Sequence, residues 1–208
     1  MKKIFTALLI FTGFYTASFA QKINKVEFGA NVGYNGSYIQ QTGTISNSDG
    51  VSGFNLGVSA EYYFSDRWSI KGKVIYDQKG WGNGFLDFPD GTTLEGVNFQ
   101  LNYITVPVMA NWHFGRTRNW YLHFGPYAGF LTSAKENSTG TDVKAAFNST
   151  DFGLDLGIGI KIPVSDNTKI FFEYDGQGGV SNVFNSGGGP TFQNTRESIN
   201  IGVLFSMK

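Results

Sequence analysis

The stretch TDFGLDLGIGIKI, residues 150–162, decides the fold. Apolar side chains occupy every second position from Phe152 to Ile162, and glycine, aspartate or lysine occupies the positions between them. A period of two is typical of a β-strand and is incompatible with an amphipathic helix. An ordinary globular strand has ~5–6 residues, whereas a tilted strand that crosses a membrane needs ~9–11. We therefore interpret the stretch as a membrane-spanning strand.

The same alternation recurs along the chain. It predicts seven further strands, at residues 28–35, 53–64, 68–77, 104–114, 121–130, 169–178 and 195–206. The connections alternate in length: short turns at 65–67, 115–119 and 163–168, and long polar loops at 39–52, 79–96, 132–150 and 179–195. Outer-membrane barrels have short periplasmic turns and long extracellular loops. We predict an all-β fold, an eight-stranded antiparallel up-and-down transmembrane β-barrel with both ends of the chain in the periplasm.

Aromatic residues extend the apolar face where the predicted strands meet the short turns. They are Phe64, Trp68, Trp112, Phe114, Trp120, Phe172 and Phe205. Rings at the boundary between water and lipid form the girdle of a membrane barrel. The alternative is a soluble periplasmic barrel whose apolar face points inward and binds an apolar ligand. A requirement for detergent separates these two hypotheses.

The first 20 residues have the pattern of a secretory signal peptide. Lys2 and Lys3 precede a short apolar run, and small residues stand before a cut after Ala20. We expect residues 1–20 to be removed and residues 21–208 to form the barrel in the bacterial outer membrane. Without Lys2 and Lys3, 14 basic residues face 16 acidic ones, which argues against a nucleic-acid partner. The expected partners are outer-membrane lipid, the barrel-assembly machinery and other envelope or secretion proteins.

The chain offers few residues for chemistry. It has no cysteine and two histidines, His113 and His123. We expect both rings to point into the barrel, and the two predicted strands that carry them have no Asp or Glu beside the rings to complete a metal site or orient a catalytic base. We predict no catalytic residue, no metal site and no cofactor.

Charged residues on the glycine-rich face are interpreted as structural. If the turn at 65–67 pairs Glu61 with Lys71, Lys73 becomes a diagonal neighbour, and Lys161 and Glu173 come close across the next short turn. Isolated buried charges are costly, so opposite charges inside a narrow barrel must pair. A conducting pore lined by these residues is the alternative, but side chains nearly fill the interior of an eight-stranded barrel.

The long loop at 79–96 carries a group of large apolar residues among glycines. They are Trp81, Phe85, Leu86 and Phe88. If exposed, this group is suited to contacting a partner or the outer leaflet. Alternatively, the rings fold back and cap the barrel.

Several segments resemble the PorT-like outer-membrane β-barrel domain family. The resemblance covers nearly all of residues 21–208 and is carried by YITVPV at 103–108, HFGPYAGF at 123–130, FGLDLGIG at 152–159, EYDG at 173–176 and SINIGVLF at 198–205. Thr105 stands where that family usually has an acidic residue. The resemblance implies an eight-stranded barrel, with a secretion-accessory role in a few members. We expect a non-enzymatic barrel with a structural, binding or secretion-accessory role through its loops. The alternatives are an outer-membrane lipid-modifying enzyme and a small porin-like channel.

Overall fold

The computed structural model describes residues 24–43, 48–87, 91–185 and 190–207. The predicted signal peptide and Phe88 lie outside these ranges and stay predictions. No helix in the described ranges is long and apolar enough to cross a membrane.

The described residues form one closed ring of eight antiparallel strands. The strands are β1 (Val26–Gln41), β2 (Val51–Tyr63), β3 (Trp68–Asp87), β4 (Thr93–Phe114), β5 (Trp120–Glu136), β6 (Thr150–Pro163), β7 (Thr168–Gly179) and β8 (Phe192–Met207). Each strand pairs with its neighbours in sequence, and β1 pairs with β8 from Val26–Met207 to Gln41–Phe192. Closure leaves no open sheet edge along the strands that meet lipid. The predicted fold is confirmed.

Burial is the reverse of that in a soluble protein. Large apolar side chains point outward, such as Val32, Leu154 and Ile199, whose exposed fractions are 55%, 64% and 66%. Charged side chains at alternate positions point inward, and Lys71 and Glu61 are 0% and 1% exposed. An apolar outer face and a polar interior are what lipid and an internal hydrogen-bond network require. This contradicts the soluble alternative, which needs the apolar face inside.

The girdle beside the short turns is present. Trp68, Trp112 and Trp120 lie on the outer face and are 38%, 37% and 44% exposed. Phe114 stacks between two of them, with ring centroids 5.2 Å from Trp112 and 6.4 Å from Trp120. The aromatic side chains therefore mark the periplasmic edge of the apolar belt.

The strands continue well past the ends that the sequence pattern predicts, and here the prediction of a loop over residues 79–96 is wrong. β3 runs to Asp87 and β4 begins at Thr93, with register shifts near Gly84. In this outer part of the barrel the two faces exchange chemistry. Outward positions are polar, as at Gln40, Gln100 and Lys135, whereas inward positions are apolar, as at Ile39 and Leu101. The polar outer face places this part beyond the hydrocarbon region of the membrane.

Candidate functional site

The interior of the barrel is densely charged but nearly balanced. Apart from Glu136, whose carboxylate binds the turn after β5, the buried acids of the described residues are Glu27, Glu61, Asp77, Asp151, Asp155, Glu173 and Asp175, and the buried bases are Lys71, Lys73, Lys79, Lys161, Lys169 and Arg196. Seven acids thus face six bases, and we call these residues the lumen network. Because buried charges are tolerated only when they are paired and hydrogen-bonded, their arrangement decides whether the barrel can conduct.

The periplasmic part of the network centres on Lys161. Its Nζ lies 2.6 Å from Glu61 Oε2 and 3.2 Å from Glu27 Oε2. Tyr63 donates its hydroxyl to Glu27 at 2.8 Å, and Lys169 contacts Glu27 at 2.8 Å. Lys161 on β6 therefore connects by ion pairs to β1 and β2, on the other side of the barrel.

The middle part of the network centres on Glu173. Lys71 Nζ lies 2.9 Å from Glu173 Oε2, Lys73 contacts the other carboxylate oxygen, and Tyr121 donates its hydroxyl at 2.7 Å. The Lys71 ammonium also lies 5.2 Å from the centre of the Phe171 ring, within the range of a cation–π contact. Charged and aromatic side chains together occupy this cross-section.

The structure brings together all five charged residues predicted to pair, but it changes their partners. Glu61 lies opposite Lys71 in the register, as expected, yet its ion pair is with Lys161. Lys161 and Glu173 are diagonal neighbours in the register of β6 and β7, as expected, but the ion pairs of Glu173 are with Lys71 and Lys73. The reason is geometric. β2 and β6, like β3 and β7, are four strands apart in a ring of eight, so they face each other and their long inward side chains meet across the diameter.

Further ion pairs continue the network toward the extracellular end. Arg196 contacts Asp175 at 2.8 Å and Asp77 at 3.3 Å, and Lys79 contacts Asp151 at 2.9 Å. Sequence reasoning did not select these residues as a site. Strand alternation did place Asp77 on the inward face, whereas Lys79 fell in the segment taken for a loop. Thr105, the departure from the PorT-like pattern, donates its hydroxyl to Asp77 at 3.3 Å.

The expectation that the histidines lack acidic neighbours is wrong. His113 Nε2 lies 3.0 Å from Glu61 Oε1. His123 Nε2 lies 3.2 Å from Asp155, and its Nδ1 lies 3.4 Å from Glu173. These acids come from β2, β6 and β7 rather than from the strands that carry the histidines. The residues of β4 and β5 alone therefore do not reveal these contacts.

Ser69, His113 and Glu61 meet, but not in the geometry of a hydrolytic triad. A triad places the nucleophile on one ring nitrogen and the acid on the other. Here Ser69 Oγ and Glu61 Oε1 both contact Nε2 of His113, at 2.9 and 3.0 Å, and Ser69 donates its hydroxyl to Glu61 at 2.6 Å. All three side chains are buried. In this arrangement the Ser69 hydroxyl donates its hydrogen to the Glu61 carboxylate and not to His113. The imidazole is therefore not placed to act as a general base for Ser69.

His123, Glu173 and Asp175 bring three potential metal-ligating atoms within 4.8 Å of one another. The carboxylates are already neutralised, because Lys71 and Lys73 contact Glu173, and Arg196 contacts Asp175. A divalent cation placed there would meet three positive side chains within ion-pair distance of its ligands. The cluster therefore fits the lumen network and not a metal centre.

The extracellular end of the interior is apolar and aromatic. Trp81 and Phe99 stack at 4.9 Å between ring centroids, and Phe147 meets Trp81 edge-on at 5.6 Å. Phe184 lies 5.4 Å from Phe147 and 5.3 Å from Phe192. We call these five rings the aromatic cap. They come from β3, β4, β8 and the two connections after β5 and β7, and they cover the outer end of the lumen network.

Trp81 lies inside this cap and is 4% exposed. The hypothesis of an exposed contact group therefore does not describe Trp81, whose ring folds inward as the capping alternative requires. Phe85 and Leu86 belong to β3. A contact between these two residues and a partner stays a prediction, as it does for Phe88.

The connections after β5 and β7 are hydrogen-bonded to one another at the extracellular end. Phe147 and Phe184 form an isolated antiparallel bridge, and Asn148 donates its side-chain amide to the carbonyls of Asn182 and Phe184 at 2.9 and 3.0 Å. At the end of β5, Glu136 accepts hydrogen bonds from the backbone N–H groups of Ser138 and Thr139. Burial raises the pKa of the Glu136 carboxyl group, but these hydrogen bonds outweigh burial and lower the pKa to about 2.

Comparisons with known proteins agree with this geometry. The model of the outer membrane protein beta-barrel domain family matches residues 19–185. The outer membrane protein OprG from Pseudomonas aeruginosa has a similar structure, with 12% identity, a TM-score of 0.52, and coverage of 90% of this chain and 98% of that one. Neisserial surface protein A has 16% identity, a TM-score of 0.50, and coverage of 85% of this chain and 96% of that one. No curated protein matches the sequence at a significant level.

Proposed function

The chain belongs to the outer membrane protein β-barrel domain family and resides in the bacterial outer membrane, and from this premise we propose that it is a closed, non-enzymatic barrel that acts by binding at its extracellular end. The two solved relatives support the fold and not a shared ligand. The proposal therefore depends on the interior and the outer end of this chain.

The observation that carries the proposal is the set of ion pairs that cross the lumen. Lys71 reaches from β3 to Glu173 on β7, and Lys161 reaches from β6 to Glu61 on β2. A hydrated ion would have to separate oppositely charged side chains that are fully buried, and breaking a buried pair costs ~3–5 kcal/mol. The aromatic cap then adds an apolar barrier above the pairs. Together they argue against the small porin-like channel.

Single-channel recording in planar lipid bilayers tests the proposal. We predict that the purified barrel inserts but passes no steady current, whereas a general porin added to the same chamber gives stepwise openings. Insertion is checked by recovering folded protein from the membrane. Steady currents that scale with the amount of this protein would contradict a closed lumen.

A finer assignment concerns the PorT-like resemblance. The segments at 103–108 and 123–130 support membership of that subgroup, and with it a secretion-accessory role through contact with other envelope proteins. Copurification from native membranes in mild detergent tests this role. A partner that copurifies with the intact chain, but not with a variant in which residues 137–141 are replaced by glycine and serine, supports it. A chain that copurifies only with the barrel-assembly machinery contradicts it.

A further inference from the structure

We propose that the aromatic cap contains a binding site for a small, uncharged, apolar ring compound that arrives from outside the cell. This inference rests on the proposed function, because it assumes a barrel that binds at its extracellular end and does not conduct. It names the class of ligand that this end accepts.

The cap borders a cavity of about 360 Å³ that is partly open to solvent. Ten described residues line it: Ile39, Trp81, Gly84, Phe99, Val143, Ala146, Phe147, Phe184, Pro190 and Phe192. None of them is charged, and the indole of Trp81 supplies the only polar side-chain atom among them. Ligand cavities in proteins span ~300–1,000 Å³ and are lined mainly by apolar and aromatic side chains. The cavity is at the small end of that range, so it fits a compact ring compound and excludes a whole lipid.

The position of the cavity determines where its ligand comes from. The outward side chains at this level include Gln40, Gln100 and Lys135, so the cavity lies above the apolar belt that meets lipid acyl chains. Below it, Lys79 pairs with Asp151, and the lumen network fills the interior. An apolar molecule gains nothing by entering that charged region. The ligand therefore enters and leaves on the extracellular side, and the site captures it without passing it inward.

The chemistry of the lining discriminates against charged molecules. Ring faces and edges of Trp81, Phe147 and Phe184 surround the space, and aromatic pairs contribute ~0.5–1.5 kcal/mol beyond the burial of their area. A carboxylate on the ligand would be buried without a partner, at a large cost. We therefore expect naphthalene to bind and 2-naphthoate, a similar ring with a charge, to be rejected.

Fluorine NMR of the intact barrel in lipid nanodiscs tests the site. The chain contains four tryptophans, and Trp81 lies at the cavity whereas Trp68, Trp112 and Trp120 lie in the periplasmic girdle. In protein labelled with 5-fluorotryptophan, naphthalene should produce a saturable shift of the Trp81 signal alone. The girdle signals report naphthalene dissolved in lipid and should drift without saturation. The same titration with 2-naphthoate should leave the Trp81 signal in place.

Two neighbouring alanines provide a matched pair of variants. Both are exposed, but Ala146 lines the cavity, whereas Ala145 lines a different surface groove. Ala146→Phe should fill the cavity and abolish the saturable shift, and Ala145→Phe should retain it. A Trp81 signal that stays fixed or drifts in parallel with the girdle signals overturns the proposal. So does an Ala146→Phe barrel that titrates like the wild type.

The wild-type titration decides the proposal even if a variant fails to fold. Its failure is also separable from failure of the closed-barrel function. A barrel that passes no current and binds no naphthalene contradicts the proposed ligand site alone. Steady currents together with saturable binding contradict the closed lumen and support the ligand site.

Discussion

At the scale of single residues, one step along a strand separates lipid from the charged interior. Leu156 is 64% exposed on the outer face, while Asp155 is 2% exposed and accepts a hydrogen bond from Gln177 at 2.9 Å. Successive side chains of a strand point to opposite faces, so the environment of each residue follows from its parity. The sequence predicts this level well, because alternation from Phe152 to Ile162 is unbroken.

We predict that Leu156→Arg destabilises the barrel and that Gln40→Arg does not. Leu156 lies in the middle of the outward apolar row of β6, whereas Gln40 points outward beyond the belt. An arginine on the lipid face costs ~2–4 kcal/mol at the midplane and ~0–1 kcal/mol near the interface. Reversible urea unfolding in lipid vesicles measures both free energies. Equal losses for the two variants would mean that Leu156 does not face the hydrocarbon region.

At the scale of the elements, each strand crosses two environments. In the membrane the inward face is polar, and beyond it the inward face becomes apolar, as on β4 between Thr105 and Leu101. A prediction based on one continuous apolar face ends the strand where the two faces exchange chemistry. For this reason the sequence pattern predicts a loop over residues 79–96. The register shift between Asn102 and Tyr103 further obscures the alternation. Strand existence was therefore predictable, but strand length was not.

The turn that follows β5 supplies a prediction about pH. Because Glu136 has its pKa lowered from 4.5 to about 2 in the folded barrel, its hydrogen bonds stabilise the turn above pH 4.5 and are lost as the pH falls toward 2. The backbone amide signals of Ser138 and Thr139, followed by NMR, should titrate with a midpoint near pH 2. Glu136→Gln should remove this titration. A midpoint at or above 4.5 would show that the carboxylate does not hold the turn.

At the scale of the whole molecule, closure of the ring determines which charges meet. The sequence pattern places five charged residues on the inward face, namely Glu61, Lys71, Lys73, Lys161 and Glu173. The prediction of their partners, however, includes only neighbouring strands. Contacts between β3 and β7 exist because eight strands bring them face to face. Capping by Trp81 was one of the two alternatives that the sequence offered, whereas its partners Phe147 and Phe184 were not predictable, since they come from distant parts of the chain. The proposed function depends on this level, because a lumen bridged by ion pairs leaves the extracellular end as the proposed place of binding.

The orientation of the molecule in the membrane can be tested with single cysteines, since the chain has none of its own. Ser138 lies in the connection after β5 and Asp166 in the short turn before β7, and both are exposed. On intact cells, Ser138→Cys should react with a membrane-impermeant maleimide. Asp166→Cys should react only after the outer membrane is permeabilised. The opposite labelling pattern would show that the barrel has the reverse orientation in the membrane.

The central claim is that opposite strands hold each other across the lumen, and a double-mutant cycle between Lys71→Met and Glu173→Gln tests it most directly. Unfolding free energies in lipid vesicles should give a coupling of ~1–3 kcal/mol, because residues in contact depart from additivity by ~0.5–3 kcal/mol. The control cycle combines Glu173→Gln with Lys79→Met. Lys79 lies on β3, as Lys71 does, but its ion pair is with Asp151. It should be additive within ~0.5 kcal/mol. A Lys71–Glu173 coupling as small as the control would contradict a lumen closed by pairs across its diameter.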